Sequence, residues 1–146
     1  MSKKVRYNKP ALVRVAKEEH NETVYQNADI QKGKVKTHPK IAEAINTYAN
    51  NPKAFTSAMK SSSIEPLTSS MNIQNTDFGK GTKGINPKKQ ARVSKMLESG
   101  APIDRPIVVN YTDHLGQQFN YLLSGNTRAT NVGEGVEAHV IKVGKK

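Results

Sequence analysis

The stretch Leu123-Ser124-Gly125-Asn126-Thr127-Arg128 has the residue types and order of an anion-binding turn. If a strand ends here and a helix begins, the first backbone N–H groups of that helix lack intrahelical acceptors. They also carry the positive end of its dipole. Gly125 would let an anion approach the main chain closely. Asn126 and Thr127 add side-chain donors, and the Arg128 guanidinium is a fork suited to phosphate oxygens. Ser124, Gly125, Asn126, Thr127 and Arg128 are therefore the candidate phosphate or nucleotide site. The competing reading is an ordinary strand-to-helix turn, with Ser124 as its cap and Arg128 solvated.

A second cluster is basic: Lys80, Lys83, Lys88, Lys89, Arg92 and Lys95. No acid falls between Lys80 and Lys95, and Gly79, Gly81 and Gly84 loosen the start of the run. Such a segment can follow a phosphate backbone, with affinity that falls steeply with salt. A solvated charged surface would have the same composition. The chain has few aromatic residues, so little base stacking is expected and sequence-specific readout is not indicated.

An enzyme would need carboxylates near the glycine turn, to hold Mg²⁺ or to act as a base. Glu98, Asp104, Asp113, Glu134 and Glu137 are the candidates, and nothing in their spacing is diagnostic. His114 in a turn and His139 in a strand are read as structural or exposed. The four histidines are scattered, with no H-x-x-x-H pair, and Cys is absent. A His-rich metal site is therefore not expected. Disulfides, Cys-based zinc sites, Fe–S clusters and thiol catalysis are excluded.

The elements that must position these residues lie mostly after Asn86. Asn86-Pro87 reads as a cap followed by proline at the first helical position. Val93, Met96 and Leu97 form an apolar stripe, and Ser99-Gly100 closes the helix. Ile107-Val108-Val109 is a β-branched run typical of a buried strand. His114 to Gln117 is a turn, and Phe119 to Leu123 the next strand. Ala129 to Val132 is a short helix, broken by Gly133-Glu134-Gly135. Val136 to Val143 alternates as a last strand.

The first part of the chain is less patterned. Ala11 to Ala16 and Glu22 to Gln26 read as two strands, with Lys17 to Asn21 as the turn between them. Lys32, Lys34 and Lys36 would share one face of an extended piece. Thr37 is the expected cap of a helix whose apolar face is Ile41, Ala44, Ile45 and Tyr48, ended by Asn50-Asn51-Pro52. Ala54 to Lys60 is a second short helix. Residues 61–86, rich in Ser, Gly and Lys, read as a long loop.

In residues 86–143 the sequence resembles the ParB/sulfiredoxin superfamily. The resemblance rests on Leu97-Glu98-Ser99-Gly100, Pro106-Ile107-Val108-Val109 and Tyr121-Leu122-Leu123. It rests above all on Ser124-Gly125-Asn126-Thr127-Arg128-Ala129, and ends with Val136-Glu137-Ala138-His139-Val140. It implies an α+β fold with a small mixed sheet and flanking helices. It also implies a nucleotide-phosphate role for the turn: chromosome-partitioning members bind CTP and DNA, sulfiredoxins use ATP, and others are nucleases or small-molecule kinases. A nucleoside triphosphate with Mg is the cofactor it suggests. Thr127 stands where the family usually has His or Arg. The missing Cys excludes sulfiredoxin activity. There is no room for the helix-turn-helix and dimerisation domains of full partitioning proteins. Short basic versions of this fold resemble those of phages and plasmids.

The 146 residues carry 23 Lys and Arg against 12 Asp and Glu, a net charge of +11, which favours polyanionic partners. The length fits one domain. With three Phe, five Tyr and no Trp, its core is expected to be modest. The organisation expected is a basic N-terminal elaboration over 1–60, a flexible loop over 61–85 and a ParB/sulfiredoxin-like core over 86–146. No apolar run approaches a membrane span, and no apolar segment follows Lys3-Lys4 as in a secretory signal, so a cytoplasmic location is expected. Nucleic acid is the favoured partner. The alternatives are a small nuclease or phosphotransferase at the same turn, and an accessory protein that binds a host protein through its basic surface.

Overall fold

β-Branched and aromatic residues at alternating positions build the centre of a mixed sheet. Strand β3 (Ile107–Thr112) pairs antiparallel with β4 (Gln118–Ser124) and parallel with β5 (Glu137–Val143), so that Val109 lies opposite both Tyr121 and Ile141. The computed structural model describes residues 5–78 and 86–143. Within them the chain is α+β, with five α-helices and one five-stranded sheet of order β1 (Ser63–Pro66), β5, β3, β4, β2 (Ile73–Gln74).

Both faces of the sheet are covered. Ile107, Val109, Tyr121, Leu123 and Ile141 pack against the three N-terminal helices, through Val15, Ile41, Ile45 and Phe55. Val108, Leu122, Ala138 and Val140 pack on the other face against Leu67, Phe78 and Ala129. Fully burying one such aliphatic or aromatic side chain stabilises by about 1.5–3 kcal/mol. The N-terminal helices thus form half of the main core.

Helix α1 (Leu12–Gln31) replaces the two strands expected over Ala11–Ala16 and Glu22–Gln26. No Gly or Pro lies between Pro10 and Gly33, and Lys17-Glu18-Glu19 propagates a helix rather than turning the chain. Its inward face carries Leu12, Val15, Ala16, Thr23 and Ile30, and polar residues at Glu19 and Gln26 break the apolar rhythm. The helix stops at Gly33 (φ +78), so Lys32 and Lys34 lie in a turn rather than along an extended piece.

Helix α2 (Pro39–Asn50) buries Ile41, Ile45 and Tyr48, the face read from the sequence. Its cap is His38, not Thr37: His38 Nδ1 accepts from the Lys40 N–H at 3.1 Å. The His38 ring also rests 4.5 Å from the Tyr111 ring and 4.6 Å from that of Phe119. Asn51 caps α3 (Pro52–Lys60), which buries Phe55 and Met59.

Residues 61–78 are not the open loop expected. Strand β1 (Ser63–Pro66) pairs antiparallel with β5 at one edge of the sheet, and β2 (Ile73–Gln74) pairs parallel with β4 at the other. Between them a 3₁₀ turn (Ser69–Met71) crosses the second face, anchored by the fully buried Leu67. Two short edge strands carry little periodicity, and their pairing is set by β4 and β5. Lys80, Lys83 and the rest of 79–85 lie outside the described residues.

Helix α4 (Pro87–Ser99) is capped by Asn86 and closed by Gly100 at φ +75, as read from the sequence. It buries no residue completely. Its link to α5 (Asn126–Val132) includes a reciprocal amide pair: Gln90 Nε2 donates to Asn131 Oδ1 at 2.8 Å, and Asn131 Nδ2 to Gln90 Oε1 at 2.7 Å. Among the described residues no helix is long and apolar enough to cross a membrane.

Candidate functional site

Gly125 is forced by its surroundings. Its φ is +94, and a Cβ there would meet the Pro106 Cα at 2.8 Å. A left-handed conformation and a backbone neighbour both demand glycine. The turn therefore brings the end of β4 and the start of α5 tightly against the entry to β3. No side chain caps α5.

The turn opens into a cleft of about 570 Å³ between α1, α4 and the start of α5. Arg128 reaches it from the turn, Lys89 and Arg92 from α4, and Glu19 and Glu22 from α1. Val93, Met96 and Ile103 supply apolar wall. Cations from two elements therefore converge on one cavity, opposite carboxylates from a third.

The side chains of the turn have different tasks. Asn126 is committed to structure. Its Oδ1 accepts from Thr76 Oγ1 at 2.6 Å and from the Asp77 N–H at 2.8 Å, while its Nδ2 donates to Asp77 Oδ2 at 3.0 Å. It fastens the 75–78 segment to the turn and does not serve as the free donor expected. Ser124 is buried and donates from Oγ to Glu19 Oε2 at 2.8 Å. Thr127 lines the cleft, and its carbonyl accepts from Asn131 Nδ2 at 2.8 Å. Arg128 Nη2 lies 3.8 Å from Glu19 Oε1, beyond hydrogen-bond length. Arg128 Nε is buried and has no hydrogen-bond partner among the described residues. A buried donor left this way costs about 1–3 kcal/mol.

Of the basic cluster, Lys89 and Arg92 enter the cleft; Lys88 and Lys95 are exposed along α4 outside it. The expected carboxylates are mostly elsewhere. Asp113 accepts from the Leu115 and Gln117 N–H groups in the β3–β4 turn. Glu134 accepts from the Ser69 N–H at 2.5 Å, and Glu137 pairs with Arg105 at 3.0 Å. Glu98, on the last turn of α4, does not line the cleft. Asp104 does line it, but is held by Arg14 Nη2 at 3.0 Å and Asn8 Nδ2 at 2.8 Å. Burial opposes its ionisation, yet those two bonds prevail and hold its carboxyl below the usual range. His114 is exposed, and His139 is buried with Nδ1 unpartnered. Burial, then the charge of Arg105, pushes the His139 pKa down against the weaker opposing effect of Asp104.

Glu19, Glu22 and Gln26 are the site residues that sequence reasoning missed. They recur at i, i+3 and i+7 on α1 and all line the cleft. Gln26 Oε1 accepts from Tyr121 Oη at 2.7 Å and from Asn75 Nδ2 at 3.0 Å, while its Nε2 donates to Glu22 Oε2 at 2.9 Å. Asn75 also donates to the Leu122 carbonyl at 2.9 Å, a reach made at φ +62. Burial, with the charges of Asp29 and Glu22, raises the Tyr121 pKa, so this phenol is a permanent donor. Polar residues at helical spacing were the available signal, visible only once the segment is taken as helix.

A second cleft of about 310 Å³ lies on the other face, over Asn110, Gln118 and Asn120. Its amides largely satisfy one another: Asn110 Nδ2 donates to Asn120 Oδ1 at 2.8 Å, and Asn120 Nδ2 to the Met71 carbonyl at 3.1 Å. Among the described residues no group of three or more His, Cys, Asp or Glu side chains could hold a metal ion. Compared with protein-family models, with curated proteins and with solved structures, the chain matches none.

Proposed function

We propose that the protein binds nucleic acid and holds a phosphate group, of the strand or of a nucleotide, in the cleft at Gly125–Arg128. One observation carries this reading: Arg128, Lys89 and Arg92 reach a single cavity from two elements. The exposed Lys88 and Lys95 continue the positive surface along α4. Electrostatic docking by α4 brings a phosphate into reach, and the guanidinium fork grips it. Seven residues make α5 a short helix, so the side-chain cations rather than its dipole supply most of the attraction.

The order α4, β3, β4, glycine turn, α5, β5 is that expected of a ParB/sulfiredoxin-like core, and it supports membership of that superfamily. The enzyme reading gains from Glu19 and Glu22, which place carboxylates opposite the cations in the same cleft. A phosphotransferase or nuclease would use them as base or as Mg²⁺ ligands.

Fluorescence anisotropy with labelled single- and double-stranded DNA and RNA tests the proposal. A gel of the products, with and without Mg²⁺ and nucleotides, accompanies it. Arg128→Ala is expected to weaken binding about tenfold to a hundredfold, as for loss of a charge-assisted contact. Intact strands identify a binding module. Metal-dependent turnover abolished by Arg128→Ala identifies an enzyme. Binding to neither nucleic acid nor nucleotide at low salt defeats both, and directs the search to a protein partner.

A further inference from the structure

In the cleft the place opposite Arg128 is already taken by an anion of the protein itself. Both oxygens of Glu19 face the donors of the turn: Oε2 accepts from Ser124 Oγ at 2.8 Å, and Oε1 stands 3.8 Å from Arg128 Nη2. The two charged side chains are only 21% and 23% exposed, so solvent screens the contact less than at an open surface. One turn further along α1, Thr23 is fully buried and donates from Oγ1 to the Glu19 main-chain carbonyl at 3.1 Å.

We propose that Glu19 is an internal competitor for the phosphate site, and that it sets an affinity threshold which polyphosphate ligands clear and single small anions do not. This rests on the reading of the cleft as a phosphate site. Any anion that engages Arg128 must displace Glu19 or sit beside it, and this penalty falls once per ligand. Orthophosphate makes its contacts at one point, so the penalty offsets most of them. A nucleoside triphosphate or a nucleic-acid strand also reaches Lys89 and Arg92 on α4, and among the described residues neither of these forms an ion pair with a carboxylate. The penalty is the same and the gain is larger, so polyphosphates stay bound at concentrations where orthophosphate does not, while the ratio of their affinities is set by the cations.

Glu22 provides the comparison. It lines the same cleft and carries the same charge, but its carboxylate is turned to Gln26, whose Nε2 donates to it at 2.9 Å. General electrostatics predicts equal effects from neutralising either residue. Direct competition predicts an effect concentrated at Glu19.

The test is calorimetric titration of the full chain with orthophosphate, tripolyphosphate and a nucleoside triphosphate, at fixed ionic strength. The wild type, Glu19→Gln and Glu22→Gln are compared, with folding checked by thermal melting. Glu19→Gln keeps an acceptor for Ser124 and loses the charge. It is expected to tighten orthophosphate about three- to tenfold, within the range for a partly screened ion pair. It should tighten tripolyphosphate by about the same factor, because both ligands meet the one penalty, and Glu22→Gln should reproduce less than half of either gain. Glu19→Asp retains the charge and should show no gain. If the wild type binds the polyphosphates and Glu19→Gln binds all three ligands no more tightly, or the two glutamine variants gain equally, the competitor role is overturned. Loss of polyphosphate binding in Glu19→Gln also overturns it, and makes Glu19 a required ligand contact. If neither the wild type nor any variant binds the polyphosphates, the phosphate reading of the cleft fails, and with it this proposal.

Discussion

At the scale of single residues, Gly125 separates a steric demand from a chemical one. Alanine there would have to keep φ at +94 and place its Cβ 2.8 Å from the Pro106 Cα, a contact that real structures do not show. Gly116, in the β3–β4 turn, has a similar φ of +84 but nothing within 4 Å of a Cβ. Gly125→Ala is therefore expected to destabilise by about 2–4 kcal/mol, and Gly116→Ala by only about 1 kcal/mol. Urea unfolding of the two variants reads the difference, and equal losses would show that Pro106 does not confine the turn. His139 gives a second expectation. Burial and Arg105 lower its folded pKa below the ordinary 6.5, so the unfolded chain takes up its proton first as the solution becomes acidic. The contribution is fully present above pH 6.5 and is lost as the pH falls through the folded value. His139→Met should flatten that part of the stability–pH curve, measured by denaturant midpoints. A curve that keeps its slope would place the titration elsewhere.

At the scale of elements, α1 and α4 play opposite parts. α1 is fixed by the core but turns Glu19 and Gln26 inward, where they meet the cleft. α4 carries the cations, buries nothing completely, and is fastened to α5 through Gln90 and Asn131. Gln90→Ala removes both amide bonds. Hydrogen exchange across 87–99 should then speed up about tenfold while the sheet keeps its protection. Unchanged protection in α4 would mean that Val93, Met96 and Leu97 hold it without the amide pair. The same contrast explains what could be read from the sequence. α2, α4 and the strands β3 to β5 have caps, stop signals and apolar periods that agree with their packing. α1 does not, because its buried face is interrupted by the polar residues that line the cleft. The apolar fragments left over, Ala11–Ala16 and Glu22–Gln26, look like strands when met alone. β1 and β2 are too short for any period, and their place depends on partners many residues away. Gly125 and Arg128 could be singled out from the sequence because a glycine between a strand and a helix is a local signal, and the structure places both at the cleft. Glu19 could not, because it reaches the turn only through the tertiary fold.

At the scale of the whole molecule, the charge of +11 is unevenly used. The carboxylates of the cleft are tied to α1 and to the Arg14–Asp104 contact, while Lys88, Lys89, Arg92 and Lys95 lie along one helix that holds no acid before Glu98. This asymmetry predicts a definite salt dependence. If those four α4 cations each neutralise a phosphate, the logarithm of affinity should fall against the logarithm of salt with a slope of about −3.6 on duplex DNA. On single strands the slope should be about −2.8. Raising monovalent salt from about 50 to 200 mM would then weaken binding roughly 50- to 150-fold. Replacing Lys88 and Lys95 with Gln removes two of the contacts without entering the cleft, and should halve the slope while leaving the effect of Arg128→Ala intact. A slope near zero would mean that the positive surface does not follow a phosphate backbone, and that α4 meets a protein. A steep slope that ignores Lys88 and Lys95 would move the docking surface away from α4 and leave the cleft as a nucleotide site only.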